Sequence, residues 1–131
     1  YPVRDPREQS NLVHLPTADL GVHRHTDAGA LTVLLQDVVG GLQVFWDGYW
    51  HDVRPEPGAF VSNTGDMRQV WATGLFRAAV HRVLAMDSED RYSIPFFFNP
   101  SSATDVAPLP SVVSEKRPAS YRTISWAEFR V

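Results

Sequence analysis

Two histidines and an aspartate are the side chains most suited to chemistry in this chain of 131 residues. His25 and Asp27 are separated by one residue, and His81 lies in a later segment. Because side chains at i and i+2 of an extended strand point to the same face, His25 and Asp27 can share one metal ion. The same spacing also occurs where a surface histidine lies beside a turn aspartate. Imidazole nitrogen and carboxylate oxygen favour iron(II), manganese(II), cobalt(II) or zinc(II) over calcium. The three residues predict a mononuclear metal site with open coordination positions.

The segment around His81 predicts a strand with this histidine on its inner face. Residues 76–86 read FRAAVHRVLAM, in which His81 and Val83 fall on one face and Arg82 on the other. A histidine in such a strand can instead be a core residue that is hydrogen-bonded to a backbone carbonyl. The presence of the earlier histidine and aspartate favours the metal-binding interpretation.

Arg91 and Ser93 begin an apolar segment that reads RYSIPFFF, and they share one of its faces. Burying a guanidinium in such a segment is costly unless an anion meets it. The planar fork of arginine suits a carboxylate, and the serine hydroxyl adds a donor. The pair therefore predicts a binding site for a carboxylate. The phenylalanines at 96–98 are expected to lie in the core rather than against a cofactor, although Phe97 shares the face of the pair and could line the pocket.

Short strands separated by glycine and proline turns must position these residues. Their spacing favours an all-β fold, a double-sheet jelly roll of the cupin-like group. The clearest local signal is a hairpin with a tight turn at Asp47-Gly48. Ser125 is expected to cap a C-terminal helix in a capping box with Glu128. The remaining predicted elements are strands Leu31–Gln36, Leu42–Trp46, Tyr49–Val53, Ala59–Ser62 and Arg91–Phe98 and a helical turn within 65–73.

Four motifs between Gly21 and Pro100 carry a resemblance to a known family. They read HTDAGALTVLLQD, GGLQVFWDGYWHDVRPEPGAFVSNTGDM, FRAAVHRV and RYSIPFFFNP. They resemble the catalytic domain of the iron(II)- and 2-oxoglutarate-dependent dioxygenases of the isopenicillin N synthase-like superfamily. The tail, with APLPS and SEKRPASYRTISWAEF, resembles that family's C-terminal extension. The resemblance implies a double-stranded β-helix core over residues 1–100 and an extension that wraps it over residues 101–131.

The resemblance also assigns roles to single residues. It makes His25, Asp27 and His81 the iron(II) ligands, and it places the distal carboxylate of the cosubstrate 2-oxoglutarate on Arg91 and Ser93. It also implies that dioxygen is the second cosubstrate and that a small organic molecule is the substrate that is hydroxylated or desaturated.

Tyr1 is a further candidate for binding 2-oxoglutarate. In the family, an asparagine, any residue and a tyrosine precede a proline, and Tyr1-Pro2 matches the end of that motif. Because the chain begins with tyrosine and family members are usually much longer, we expect the N-terminal helices and first barrel strand to be missing. Apolar faces that this part would cover are then exposed, which predicts marginal stability.

Two other functions are compatible with these residues. An oxidase of the same superfamily that does not use 2-oxoglutarate would hold a substrate carboxylate on the Arg-x-Ser pair. A truncated, non-catalytic domain would keep the metal site and lack part of the pocket wall. Succinate release tied to substrate oxidation would indicate a 2-oxoglutarate-dependent dioxygenase rather than such an oxidase. Metal binding without cosubstrate-dependent oxygen uptake would indicate the non-catalytic domain.

Several other polar residues are weaker candidates. His23 shares the face of His25 and is an alternative ligand. His14 and His51 are expected in solvent, and Asp66 is expected at a turn or helix cap. Asn63 could face the barrel interior.

Composition limits the classes of partner. A hydrophobic content of 44% indicates a globular domain. The 12 basic and 15 acidic residues give a formal net charge of −3 without a cationic run, so we expect no nucleic-acid or membrane partner. The absence of cysteine excludes disulfides and thiolate metal sites and agrees with a cytoplasmic protein. A monomer is expected.

Overall fold

The computed structural model describes residues 20–85 and 89–130. Tyr1 and His14 lie outside the described residues. The described elements are, in order, β1 (Leu20–His25), β2 (Leu31–Gln36), β3 (Leu42–Trp46), β4 (Tyr49–Asp52), β5 (Val61–Thr64), α1 (Asp66–Trp71), β6 (His81–Leu84), β7 (Ser93–Phe98), β8 (Asp105–Val106), β9 (Ile124–Ser125) and α2 (Trp126–Phe129). The prediction of a mainly β chain is therefore confirmed. Neither described helix is long and apolar enough to cross a membrane.

The first of two compact units contains a four-stranded antiparallel sheet in the order β1-β6-β3-β4. Strand β6 lies inside this sheet, so its first residue, His81, has a neighbour on each side. The register pairs His81 with His25 of β1 and with Val44 of β3. The β1–β6 ladder shifts register twice between Leu20 and His25, and such irregularities re-aim side chains near functional sites.

The β3–β4 hairpin forms as its turn residues predict. Asp47 and Gly48 have positive φ angles of 49° and 83°, as a two-residue type I′ turn requires. The twist of this turn matches the right-handed twist of the flanking strands. Strand β4 ends at Asp52, one residue earlier than predicted.

The opposite face of the β6 strand carries a buried polar chain. Arg82 is 3% exposed and donates from Nε to Oε1 of Gln43 at 2.9 Å. Gln43 donates in turn to Oδ1 of Asp52 at 2.8 Å, and the Arg82 guanidinium lies 4.0 Å from the Trp50 ring centroid. Burial lowers the pKa of Arg82. The alternation predicted around His81 is thus present, with the histidine and the arginine on opposite faces.

The second unit contains a small apolar core below the helix α1. Its buried members come from distant parts of the chain and are Ala30, Met67, Val70, Val106 and Trp126. Two of them belong to the segment that was predicted to wrap the surface, so that segment contributes to the core. The division into a core of 1–100 and an extension of 101–131 stays a prediction.

Helix α2 begins as the capping motif predicts. The Ser125 hydroxyl accepts a hydrogen bond from the Glu128 backbone N–H at 3.2 Å. The Glu128 side chain does not complete the box among the described contacts, because its Oε1 accepts from Arg122 at 3.5 Å. The N-cap half of the predicted motif is confirmed.

Besides β4, three strands of the structure differ from their predicted bounds. Strand β5 begins at Val61 rather than Ala59, and β7 begins at Ser93 rather than Arg91. Strand β6 covers only His81–Leu84 of the predicted segment 76–86. Its early part is not a strand because side chains bind its backbone: the Thr64 hydroxyl donates to the carbonyl of residue 77, and the Gln69 amide oxygen accepts from the N–H of residue 78.

The prediction that the phenylalanines at 96–98 lie in the core is wrong. Their side chains are 63%, 49% and 58% exposed. Strand β7 lies at the end of the three-stranded sheet β5-β2-β7, and all six of its residues are exposed. An end strand has a neighbour on one side only, and the described residues do not cover either of its faces.

We expect this chain to be marginally stable without metal. Long, exposed, apolar edge strands such as β7 also favour association between chains. Thermal unfolding followed by circular dichroism should show a midpoint no higher than about 45–65 °C, the usual range of mesophilic domains. A cooperative transition well above that range in metal-free protein would contradict the expectation.

Candidate metal centre

The two predicted histidine ligands face each other across neighbouring strands. His25, the last residue of β1, pairs in register with His81, the first residue of β6. Their ring centroids are 4.2 Å apart, with the ring planes tilted by 53°. Directly opposed residues of antiparallel strands have their Cβ atoms about 4.5–5.5 Å apart, which is close enough for two imidazoles to bind one ion.

A backbone contact sets which nitrogen of His25 can bind a metal. Nδ1 of His25 lies 2.8 Å from the carbonyl oxygen of His23. Because a carbonyl oxygen only accepts, Nδ1 carries the proton, and the lone pair of the neutral ring is on Nε2. This is the common arrangement of metal-binding histidines, whose second ring nitrogen donates to a carbonyl or carboxylate.

Asp27 reaches the histidines from a loop and not from a strand. Strand β1 ends at His25, so the alternation of a continuous strand is not what orients Asp27. The carboxylate is 7% exposed, and its Oδ2 accepts from the Thr32 hydroxyl at 2.5 Å and from the Asn63 amide at 2.9 Å. Two hydrogen bonds to one oxygen fix the orientation of the carboxylate plane.

The backbone of the Asp27 loop is held by the residues that follow β5. The N–H groups of Asp66 and Met67 donate to the carbonyls of Asp27 and Ala28 at 2.8 and 3.1 Å. Gly65 donates to the carbonyl of Ala30 at 3.3 Å. Residues 65–67 therefore hold three carbonyls of the loop that carries the aspartate.

Gly65 has no room for a side chain. A Cβ placed there would overlap the carbonyl oxygen of Gly29 and lie 2.5 Å from that of Asp27. Both atoms belong to backbone, so relief requires the loop itself to move. Gly65→Ala should therefore lower the free energy of unfolding by about 1–3 kcal/mol, as overpacking does elsewhere, and displace Asp27. Urea denaturation measures the first effect.

Gly21→Ala is the matched control for that substitution. The new Cβ would meet its nearest atoms at 3.7–3.8 Å, an ordinary contact distance. We expect its unfolding free energy to change by less than about 1 kcal/mol. Equal effects of the two substitutions would contradict the close fit at Gly65.

The three predicted ligands converge. One potential ligand atom from each of His25, Asp27 and His81 lies within 4.8 Å of the other two. Two imidazole nitrogens and one carboxylate oxygen are the donor set of the mononuclear non-haem iron(II) centres that keep open positions for cosubstrates. This donor set and the fixed carboxylate fit such an ion.

The remaining candidate residues are not part of this group. Among the described residues, the convergent group does not include His23, whose carbonyl instead orients His25. His51 is exposed on β4 and its Nε2 lies 3.0 Å from the Trp46 carbonyl oxygen. Asp66 is the first residue of α1 rather than its cap, and its carboxylate accepts from the Thr26 hydroxyl at 3.1 Å.

Arg91 and Ser93 lie side by side as predicted. Nη1 of Arg91 donates to the Ser93 hydroxyl at 2.8 Å. The guanidinium is oriented by two acceptors that the sequence did not reveal, the carbonyl of Gly40 at 2.6 Å and the side-chain amide oxygen of Gln36 at 3.2 Å. Arginine has five N–H donors, so these three bonds to described residues leave N–H groups on both Nη atoms for an anion.

A carboxylate steadies the backbone beside this pair. Asp37 Oδ2 accepts from the N–H of Tyr92 at 2.5 Å, and this bond is the main cause that lowers the pKa of Asp37. Burial lowers the pKa of Arg91, and the charge of Asp37 opposes that effect. Arginine nevertheless stays cationic at neutral pH.

Arg91 and Ser93 line a pocket of about 430 Å³. Its other walls include Gly21 of β1 and Val83 of β6. Val83 lies two residues after His81 on the same face of the strand, a separation of about 6.6 Å. The volume is within the range of small-molecule sites, about 300–1,000 Å³. The pocket therefore offers Arg91 and Ser93 to a small molecule, and its lining residues include Glu89 and Asp90 but not His81.

Mainly β strands and a His-x-Asp…His group are typical of mononuclear non-haem metal proteins. Residues 2–100 match the 2OG-Fe(II) oxygenase superfamily. The chain belongs to that superfamily, whose members use iron(II), 2-oxoglutarate and dioxygen. The predicted family and the predicted cofactors are confirmed at this level.

Known relatives agree with the family assignment. The chain is 40% identical over 116 residues to feruloyl CoA ortho-hydroxylase 1 of Arabidopsis thaliana, an alignment covering 87% of this chain and 32% of that protein. It matches the crystal structure of JOX2 in complex with 2OG, Fe and JA with a TM-score of 0.81 and 38% identity, over 85% of this chain and 33% of that one.

A structure from rice extends the comparison. The crystal structure of the dioxygenase for auxin oxidation in rice matches with a TM-score of 0.81 and 36% identity, over 86% of this chain and 39% of that one. These likenesses confirm the predicted jelly-roll fold class. The chain spans about a third of the length of the curated relatives it matches, 32% in the case of feruloyl CoA ortho-hydroxylase 1.

Proposed function

We propose that this chain carries the iron(II) and 2-oxoglutarate sites of a dioxygenase that oxidises a small organic substrate. The observation that carries the proposal is the convergence of His25, Asp27 and His81 within 4.8 Å. Each ligand has its own support: His25 and His81 are paired by strand register, and Asp27 is held by Thr32 and Asn63.

The 2-oxoglutarate site is proposed at the pocket of Arg91 and Ser93. The guanidinium is held in place by Gly40 and Gln36, so little conformational freedom is lost when a carboxylate binds. A cation with a planar fork and an adjacent hydroxyl can hold the distal carboxylate of the cosubstrate. The other end of the cosubstrate would then lie toward the face that carries His81. Tyr1 remains a proposed additional contact.

The protein's part of the reaction is to bind and orient. Bound iron(II) supplies the activation of dioxygen, which is coupled to oxidative decarboxylation of 2-oxoglutarate to succinate and carbon dioxide. His25, Asp27 and His81 would hold this ion and leave part of its coordination sphere free for 2-oxoglutarate and dioxygen. Arg91 would fix the direction of the cosubstrate by holding its distal carboxylate, with Ser93 beside it.

The substrate is proposed as a small organic molecule that is hydroxylated or desaturated. The name of feruloyl CoA ortho-hydroxylase 1 states a hydroxylation, and the JOX2 crystal contains the small molecule JA. The absence of nucleic-acid and membrane partners remains a proposal that the net charge of −3 supports, and a cytoplasmic location remains one with which the lack of cysteine agrees. A monomeric state also remains a proposal, and the exposed strand β7 argues against it.

Succinate formation tests the proposed function. Protein supplied with iron(II), 2-oxoglutarate, air and ascorbate, which supplies the two electrons that the organic substrate would otherwise give, should release succinate and consume oxygen, and both rates should depend on 2-oxoglutarate. Oxygen uptake without succinate would indicate the alternative oxidase. Metal binding with neither would indicate a non-catalytic metal-binding domain.

A further inference from the structure

We propose that Thr32 and Asn63 are positioning residues that set the metal affinity of the centre through Asp27. The inference rests on the proposed metal site. Both side chains donate to the same oxygen of Asp27, at 2.5 Å from the Thr32 hydroxyl and 2.9 Å from the Asn63 amide. Neither residue is a ligand, and sequence reasoning gave neither of them this role.

The two hydrogen bonds to Oδ2 restrict rotation of the Asp27 carboxylate. A carboxylate on a single-bonded side chain can rotate about its Cβ–Cγ axis and exchange its two oxygens. Two donors on Oδ2 oppose that rotation, because turning the group would break both bonds at a buried site. The two hydrogen bonds therefore hold the Asp27 carboxylate in one orientation relative to the two histidines.

The two donors come from neighbouring strands that hold them in register. Thr32 of β2 pairs directly with Asn63 of β5 in the antiparallel ladder. Thr32 is 5% exposed, so its hydroxyl is surrounded by protein, where a hydrogen bond to a charged group is strong. The positioning device is thus built into a sheet rather than into the loop that carries the ligand.

Hydrogen-bond partners of metal ligands typically change metal affinity by about 10- to 100-fold when they are removed. Thr32→Val replaces the hydroxyl with a methyl group of similar size, and Asn63→Leu replaces the amide with an apolar group. Each should weaken manganese(II) binding by about 10- to 100-fold. Thr32→Ser keeps the hydroxyl and should restore affinity to within a few-fold of the unsubstituted protein.

Thr64→Val is the matched control. Thr64 lies next to Asn63 on β5, but its hydroxyl donates to the carbonyl of Arg77 at 3.2 Å and not to Asp27. Manganese(II) affinity should be measured by calorimetry on the full chain, with thermal unfolding of each metal-free variant recorded beside it. Cobalt(II) absorption spectra give an independent readout, because they change with ligand geometry and should shift in Thr32→Val but not in Thr64→Val.

The outcomes separate this inference from the proposed function. If the unsubstituted chain binds no manganese(II), the proposed metal site fails. If it binds, and Thr32→Val and Asn63→Leu bind equally well with unchanged cobalt(II) spectra, the positioning role is overturned. If affinity falls equally in Thr32→Val and Thr32→Ser, the hydroxyl is not the active feature and the inference is likewise overturned.

Discussion

His81→Ala should abolish metal binding and turnover. His81 supplies one of three convergent donors, and its removal leaves one imidazole and one carboxylate. Loss of a direct ligand should exceed the effect of losing a group that only orients a ligand, so the affinity for iron(II) should fall by more than about 100-fold. Anaerobic equilibrium binding measures the affinity, and succinate release measures turnover.

His51→Ala is the control for that prediction. His51 is exposed on β4 and contacts the Trp46 carbonyl. The substitution therefore removes an imidazole from the four-stranded sheet that also contains His81, but leaves the three proposed ligands in place. Its metal affinity should match that of the unsubstituted chain. Near-equal iron(II) affinity of His81→Ala and His51→Ala would contradict the assignment of His81, provided that both variants show the same circular dichroism spectrum.

Arg91→Ala should chiefly raise the requirement for 2-oxoglutarate. Hydrogen bonds to charged groups contribute about 1.5–3 kcal/mol, so the affinity for 2-oxoglutarate should fall roughly 10- to 150-fold. Metal affinity should change little, because Arg91 is not one of the convergent donors. Arg91→Lys keeps the charge but loses the planar fork, and an intermediate affinity is expected. Calorimetry with manganese-loaded protein measures each value.

Arg122→Ala supplies the matched loss of a positive charge. Arg122 is 79% exposed and pairs only loosely with Glu128, at 3.5 Å. Its 2-oxoglutarate affinity should be unchanged. An affinity that falls equally in Arg91→Ala and Arg122→Ala would show a general effect of charge, and an unchanged affinity in Arg91→Ala would remove the carboxylate clamp from the account.

Local patterns were sufficient for the elements that short-range chemistry determines. Strands Leu31–Gln36 and Leu42–Trp46 have the predicted bounds, since each is an apolar run of strand-forming residues, and glycines lie close to both. The Asp47-Gly48 turn formed because its residues tolerate positive φ angles. Residue types and spacing, together with the family resemblance, also identified the three residues that the structure brings together.

The orientation of Asp27 could not be predicted from strand alternation. Strand β1 ends two residues before it, and the carboxylate is fixed by Asn63 and Thr32 instead. Asn63 is 36 residues away in sequence, so this contact depends on the pairing of β2 with β5. The pairing of His25 with His81 could not be predicted either, because the β1–β6 ladder contains two register shifts that no local sequence pattern indicates.

Exposure was the least predictable property. The aromatic run in β7 has the composition of a buried strand, yet all six of its residues are exposed. Burial is decided by what packs on both faces of a strand, and the pattern of one strand does not contain that information. The orientation of Arg91 was unpredictable for a related reason. It depends on the backbone carbonyl of Gly40, and every residue type has such a carbonyl.

Anaerobic titration of the chain with iron(II), with and without 2-oxoglutarate, tests the central claim most directly. We expect a weak visible charge-transfer band that requires both iron(II) and 2-oxoglutarate and saturates at one iron per chain. The band should be absent in His81→Ala. Absence of the band in the unsubstituted chain, or an identical band in His81→Ala, would contradict the convergence of His25, Asp27 and His81 on a single iron beside its cosubstrate.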